Sequence, residues 1–585
     1  MKFLTFVLLL TGFLAKAQDV DQANKAIDAE QYEKAKGLLK SIIKAKPDNG
    51  RATFLLGNVY LTQNMPDSAK IYFNKGLTAK EEGKLNSIGL GQLDLDAKNI
   101  SAAKAKFDAV INDMRRRDYE EYIFIARAYM NSENPDYKKA IELLNLAKEK
   151  NANDPQVQLA LGDAYYGNKD QNNAYVAYRN AYQADNSVIR AKMQLGVLLK
   201  GAKAYTEAVK AYNEVIALNP NYGPVYRELA ETYYLWGNNE PNTYKENIKK
   251  ALAFYEKYMT LTDYSLTSRM RHADFLILAK DFKALEVEAN KMKEIAGVNP
   301  RILRYLGYSA YENGNVDSAL KALNDYTSNP SSKVIALDYL FLGKAKLKKG
   351  MTEGAKVMDS LQVESAVQDF KKAIQIDPLA EMNMNEIGKD LYEAKLFGAA
   401  ASVFEISANN PESKNFLIDN FYLGNSIYYN NTFQGAKVDK AMLQKADTAF
   451  GNVITASPGT FDAIIFRART NKLMENDEMM AKYYQEYVNS ISDKWIKELN
   501  KANDQIDNNS FILELYKGTI KDINYSLYKA EMDKVKPKIV EAYNNIASHY
   551  ANFDKIKAKE YLNKTLALDP ENAYALEAIK LIGKK

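Results

Sequence analysis

The 585-residue chain contains no cysteine. That absence excludes disulfides, thiolate metal sites and thiol nucleophiles together, along with the acylated cysteine of a bacterial lipoprotein. Histidine is almost as scarce: His272 and His549 are far apart, neither has a second ligand at metal spacing, and no HExxH is present. Proline (14) and glycine (28) are sparse and low-complexity tracts are lacking, so with 46% hydrophobic and 26% charged residues the composition is that of a folded chain. Charge of one sign is lacking too. The formal net charge is +5, and without Lys2 and Lys16 there remain 77 basic against 74 acidic residues, too even a balance to predict nucleic-acid binding.

Long apolar runs are also missing. After the first residues none reaches about 18 uninterrupted apolar positions, so no direct membrane insertion is expected. The start, MKFLTFVLLLTGFLAKAQ, has a basic Lys2, an apolar run Phe3 to Leu14 and the small-x-small triplet Ala15-Lys16-Ala17. This pattern predicts a signal peptide over 1–17, cut before Gln18, and hence a periplasmic protein without a lipid anchor, at most peripheral to the outer membrane.

What the chain does have is a period. Gly57, Gly91, Gly162, Gly196, Gly307 and Gly388 each follow Leu or Ile. Twelve residues after each stands Ala (Ala69, Ala103, Ala174, Ala208, Ala319, Ala400), and sixteen after each a large apolar residue (Phe73, Phe107, Tyr178, Tyr212, Leu323, Phe404). Gly57 and Gly91, and again Gly162 and Gly196, are 34 residues apart, the length of two short helices and two turns. Small residues at the Gly and Ala positions let two antiparallel helices approach closely, and the Leu and the large residue fill the space beside that contact. Pro in segments such as KAKPDN (Lys44 to Asn49) and ALNPNY (Ala217 to Tyr222) stops one helix before the next begins.

This skeleton resembles the tetratricopeptide repeat (TPR) family, whose Leu-Gly, Tyr, Ala and Phe positions are matched by Leu56, Gly57, Tyr60, Ala69 and Phe73, and again by Leu195, Gly196, Ala208, Tyr212 and Pro220. The resemblance implies an all-α fold, a TPR α-solenoid in which about 13–14 helix-turn-helix repeats form a superhelix, each burying its apolar face against its neighbours. The solenoid is expected over 18–489, with extra residues between paired helices near 131–137, 237–247, 350–365 and 430–444, read first as tolerated surface loops. Residues 490–537 lose the period but keep apolar helical faces (Trp495, Leu499, Phe511, Leu515, Ile520, Ile523) and are expected to be an irregular helical segment. The last repeat and a C-terminal capping helix fill 538–585.

Chemistry has little to stand on. DLDAKN (Asp94 to Asn99) lacks the acidic ligand and turn Gly of a calcium loop, and SIIK (Ser41 to Lys44) and SALK (Ser318 to Lys321) lack the companion motifs of penicillin-binding enzymes. GLG (Gly89 to Gly91) lacks the third Gly and the preceding strand of a dinucleotide site. No enzyme activity, cofactor or metal is expected.

In the TPR family the first helix of each repeat faces inward. Carried onto this chain, the inner positions give Arg301, Arg304, Tyr308 and Tyr311 in one repeat and Phe421, Asn425, Tyr428 and Tyr429 in another, with Tyr166, Tyr234, Lys389 and Tyr392 on equivalent faces. Aromatic rings supply contact area at small entropic cost and Arg pairs bidentately with carboxylates, which suits an extended peptide or a protein tail. With 41 Tyr in the chain, a merely solvated lining accounts for the same residues equally well. The lysine of a chaperone-tail carboxylate clamp is missing, because Phe54 and Phe421 stand where it would be.

The resemblance therefore implies a non-catalytic periplasmic scaffold or adaptor that binds an envelope protein or extended peptide through its concave surface, as a component of an outer-membrane assembly, secretion or import complex. Its leader and its abundance of Lys, Asn and Tyr resemble those of Bacteroidota periplasmic TPR proteins. The alternative is a glycan-binding import accessory related to SusD-like proteins, against which stand the missing lipoprotein cysteine and the lack of long non-repeat insertions.

Overall fold

In this computed structural model residues 20–296, 299–352, 357–433, 435–499, 507–521 and 523–582 are described. The expected signal peptide, 1–17, lies outside them, as do residues 353–356 of one expected insertion. Among the described residues there are thirty α-helices, two short 3-10 turns and no strand; they read as fourteen consecutive helix pairs, with Asn508–Lys517 standing between two pairs and Ala573–Ile582 coming last. The chain divides into two compact units, Met1–Ile302 and Leu303–Lys585.

Helix ends are set by orphan backbone groups. At the turn inside a repeat one residue takes the left-handed conformation, as at Glu30, Asn64 and Lys98, at Lys169 and Lys203, and at Lys280 and Gly314, each 34 residues from the one before it in its group. The next amide then bonds five residues back: Gln31 N to Ala26 O at 2.8 Å, Met65 N to Tyr60 O at 2.9 Å, Asn99 N to Asp94 O at 2.8 Å. This is the Schellman arrangement, which satisfies carbonyls that the helix leaves over. Many second helices open on an Asp or Asn cap: the Asp170 carboxylate accepts the Asn173 amide at 3.1 Å and the Asp554 carboxylate the Lys557 amide at 2.9 Å.

The period has a direct steric meaning. A Cβ built on Gly57 would lie 2.2 Å from a ring carbon of Phe73, and one on Gly89 would lie 2.3 Å from the same ring. Phe73, fully buried, is therefore clasped between glycines of two successive repeats, which accounts for both ends of GLG once Gly91 is seen against Phe107 at 2.4 Å. The large residue sits on the glycine itself rather than beside it. Repeats with insertions keep the contact: Gly343 meets Phe370 and Gly424 meets Phe450, at 2.4 and 2.6 Å on the same measure.

The insertions are partly absorbed into helices. Those near 237–247 fall in the long helix Gly223–Asn239, a 3-10 turn and the helix Tyr244–Leu261; 350–365 and 430–444 end inside Ser360–Ile376 and Lys440–Ala456. Within 490–537, Trp495, Phe511 and Leu515 are buried, and Leu499, Ile520 and Ile523 pack against the same core as Ile464, Tyr484 and Tyr543. The expected boundary after Pro537 falls inside the helix Tyr525–Tyr550. Pro537 removes one amide from the ladder, and the buried Met532, Ile539, Val540, Ala542 and Tyr543 on both sides hold the helix continuous.

Candidate functional site

In the first unit the expected inner residues do not gather. Tyr166 is exposed, Tyr234 leans edge-on to Phe275 at 6.0 Å, and Arg301 donates to Asp274 at 2.6 Å. The first helices there carry instead a network of paired charges. Asp163 joins Arg190 and the Tyr178 hydroxyl, each at 3.0 Å, and Lys200 reaches Glu228 and Glu231 at 2.6 and 2.7 Å. Glu30, from the first turn of the chain, accepts from the Tyr258 hydroxyl at 2.6 Å and pairs with Arg227 at 3.4 Å and with Arg271.

Burial by itself would raise the Glu30 carboxyl, but Arg227, Arg271 and the Tyr258 hydroxyl outweigh it and hold it at about 2. Because the folded carboxyl sits below its unfolded value of 4.5, its contribution is full above that value and lost as pH falls toward about 2. Asp28, raised by burial against the pull of Arg190, works in the opposite sense. Glu30→Gln is expected to flatten the acid-side loss of stability of this unit, read from urea midpoints at about pH 5 and about pH 3.

In the second unit Arg304 and Tyr308 are placed inside the stack. Arg304 grips the fully buried Asp338 with Nε and Nη2 at 2.7 and 2.9 Å; the Tyr308 hydroxyl and the Ile335 amide each donate to the same carboxylate at 2.7 Å. Arg304 and Asp338 stand 34 residues apart, one repeat, so this is a brace between neighbours. Asn385 and Asp419 form a second brace at the same spacing. Tyr311 packs edge-on to Phe341 at 5.6 Å. Asn425, also buried, donates to its own helix at Phe421 O, 2.9 Å, and Phe421 leans on Phe450 at 6.3 Å.

Four expected residues do come together. Tyr392, Tyr428 and Tyr429, all half-buried, share one aromatic wall: Tyr392 lies 5.1 Å from Tyr422 and 6.3 Å from Tyr429, and Tyr429 lies 5.4 Å from Tyr428. Phe397 and Phe466 complete it, 5.2 and 5.8 Å from Tyr429. Lys389 lies over Tyr422 at 5.5 Å. Arg469 lies over Phe466 at 5.1 Å and is held bidentately by Glu541 at 2.8 and 2.6 Å, which also accepts from the Tyr484 hydroxyl at 2.7 Å. Burial, with Tyr429 and Tyr422 nearby, pushes the Tyr392 phenol up to about 12, and burial raises Tyr428 as well, so both remain neutral hydrogen-bond donors at neutral pH. Sequence reasoning missed Phe397, Phe466 and Arg469. Arg469 follows Ala468 as Lys389 follows Gly388, but a motif keyed on Gly passes over a repeat whose small residue is Ala.

Residues 26–82 and 189–222 match tetratricopeptide repeat families. The chain carries tetratricopeptide repeats. Similar solved TPR structures include the C-terminal part of a repeat-containing protein from Cytophaga hutchinsonii, 24% identical over 53% of this chain and 99% of that one with a TM-score of 0.29. Another is a protein from Parabacteroides merdae, 18% identical over 44% and 93% with a TM-score of 0.32. The human IFIT1 dimer with PPP-AAAA is 14% identical over 74% and 90%, with a TM-score of 0.34. No curated protein matches the chain in sequence.

Elsewhere in the TPR stack a groove of about 860 Å³ runs between Ser360–Ile376 and Phe397–Ala408, the second helices of two successive pairs, with an apolar floor (Val363, Val367, Ile406) and Glu364, Glu405 and Lys371 on its rim. His272 stacks on Tyr255 at 5.5 Å and faces Glu288 at 3.8 Å, while His549 packs on Tyr550 and Phe553 at 5.0 Å each. Among the described residues no three His, Asp or Glu gather as metal ligands, and no helix is long and apolar enough to cross a membrane.

Proposed function

We propose that this TPR chain is a non-catalytic scaffold of the periplasm that holds an extended segment of another envelope protein against the wall Lys389, Tyr392, Tyr428, Tyr429 and Phe466. TPR repeats are protein-interaction scaffolds, and that coarser role rests on the repeats themselves. The finer reading rests on one observation: half-buried rings from three successive first helices form a continuous surface flanked by Lys389, which lies over Tyr422, and by Arg469, held in place by Glu541. Rings already fixed by their neighbours lose little freedom on binding, and Tyr and Arg are the residues from which binding hot spots are built. Export by the leader, and service in an assembly, secretion or import complex, belong to the same proposal.

Tyr392→Ala, Tyr428→Ala and Tyr429→Ala together are expected to weaken the partner complex at least about 30-fold, since even one lost hot spot costs about 2 kcal/mol. The check is quantitative co-purification from cell envelopes, with the affinity of any recovered partner measured against both chains. An unchanged partner set at unchanged affinity refutes the wall as the interface. Fractionation tests the location: a chain found in the cytosol with Met1 intact would refute export.

A further inference from the structure

The first unit closes on itself. Gln31, at the turn of the first helix pair, donates its side-chain amide to Leu261 O at the end of the seventh pair, and Asp263 accepts the Lys34 amide, both at 2.9 Å; the first helices of the seven pairs thus surround a shared inner surface. On that surface the arginines meet carboxylates. Arg51 pairs with Glu82 and Glu120, Arg190 with Asp163, Arg227 with Glu228, and Arg271 with Glu30. Arg127, on Glu120–Asn131, is the exception: the partner of its guanidinium among the described residues is the neutral Gln156 side chain, at 3.3 Å.

A cation in that position lacks its counter-charge. Asp163, on the next first helix, is already shared by Arg190 and the Tyr178 hydroxyl, each at 3.0 Å. The Arg51 and Arg190 guanidiniums are raised by the carboxylates they meet, whereas burial and then the charge of Arg190 lower Arg127. Asp28, at the end of the first helix, is the converse: a carboxylate that no cation pairs with, raised by burial against the pull of Arg190 and of the Tyr222 hydroxyl. Arg127 and Asp28 lie close enough to feel each other's charge, yet form no ion pair. Arg127 is only half-buried and Asp28 is exposed, so the protein around them removes water without covering them, and a small ligand can reach both.

We propose that Arg127 and Asp28 hold a small zwitterion of the amino-acid kind on the inner surface of the first unit, its carboxylate on Arg127 and its ammonium on Asp28. A guanidinium offers a carboxylate two parallel donors. The ligand carries a cation as well, because Asp28 and Asp163 beside the same arginines repel a second negative charge and so turn away phosphate and other polyanions. The site lies in the other unit from the wall of Tyr392, Tyr428 and Tyr429 and is tested separately from it.

Titration calorimetry on the full chain tests the site with glycine, β-alanine and 4-aminobutyrate, which hold the two charges at increasing separation, against acetate and inorganic phosphate. At least one zwitterion is expected to bind at least about tenfold more tightly than acetate. Arg127→Met is expected to weaken that zwitterion at least about tenfold, and Asp28→Asn to weaken it likewise while leaving acetate as it was. Acetate or phosphate binding as tightly as every zwitterion overturns the ligand class, and an unchanged zwitterion affinity in Arg127→Met overturns the site. Urea unfolding without ligand separates binding from architecture. Because Arg127 has no counter-charge to lose, Arg127→Met is expected to keep or raise the midpoint of the unaltered chain; a lowered midpoint makes Arg127 part of the architecture and overturns the proposal.

Discussion

Asp338→Ala is expected to cost the second unit about 3–5 kcal/mol, because it leaves the Arg304 guanidinium buried without its counter-charge. Asp338 is completely buried and serves four donors at once: both nitrogens of Arg304, the Tyr308 hydroxyl and the Ile335 amide. Removing the carboxylate strands all of them. Nearly all of the loss should come from unmet donors rather than from the missing attraction, so replacing Arg304 by Met in the same chain should recover part of it. An exposed pair is the control: Lys440 and Glu475 have side chains 58% and 80% exposed, and Glu475→Ala should leave the urea midpoint essentially unchanged. Urea unfolding followed by far-UV circular dichroism measures both. A loss below about 1 kcal/mol for Asp338→Ala would refute the brace.

Phe73→Ala should cost the first unit about 3–5 kcal/mol. The ring is fully buried between Gly57 and Gly89, so its removal opens a void that touches two repeats at once. The converse change, Gly57→Ala, places a methyl group 2.2 Å from the ring and should cost about 1–3 kcal/mol for overpacking, less about 1 kcal/mol regained because Ala is the better helix former. The two sites are in contact and should not be additive: Gly57→Ala combined with Phe73→Leu is expected to cost clearly less than the two single changes summed. Thermal unfolding of the four chains checks this. Strict additivity would mean that the ring does not rest on the glycine.

Much of this was legible in advance. A ring needs a bare backbone to lie on, so the Gly and the residue sixteen positions later record one contact seen from both sides, and six copies of it announce the helix pairs. The braces were half legible. Arg304 and Asp338 were there to be seen at one repeat length, but a position on the first helix near the boundary between groove and neighbour does not tell which of the two a long side chain will reach. Arg304 reaches the neighbour, where its guanidinium forks onto both oxygens of a carboxylate whose burial demands a cation. The aromatic wall was legible where Gly marked the repeat, at Tyr392, Tyr428 and Tyr429, and illegible where Ala replaced it, at Arg469.

The seam at Glu30 left no trace in the order of residues. Its partners lie some 200 or more positions away, and the small rotation from each helix pair to the next decides whether the first turn meets the seventh pair or misses it. Local chemistry, repeated with a fixed period, determined the helices, their pairing and what each glycine is for, since those contacts close within about 34 residues. Which inner surface stays open and which is sealed by the chain's own carboxylate was decided only by the stacked structure, because that outcome accumulates over many small rotations that no single stretch encodes.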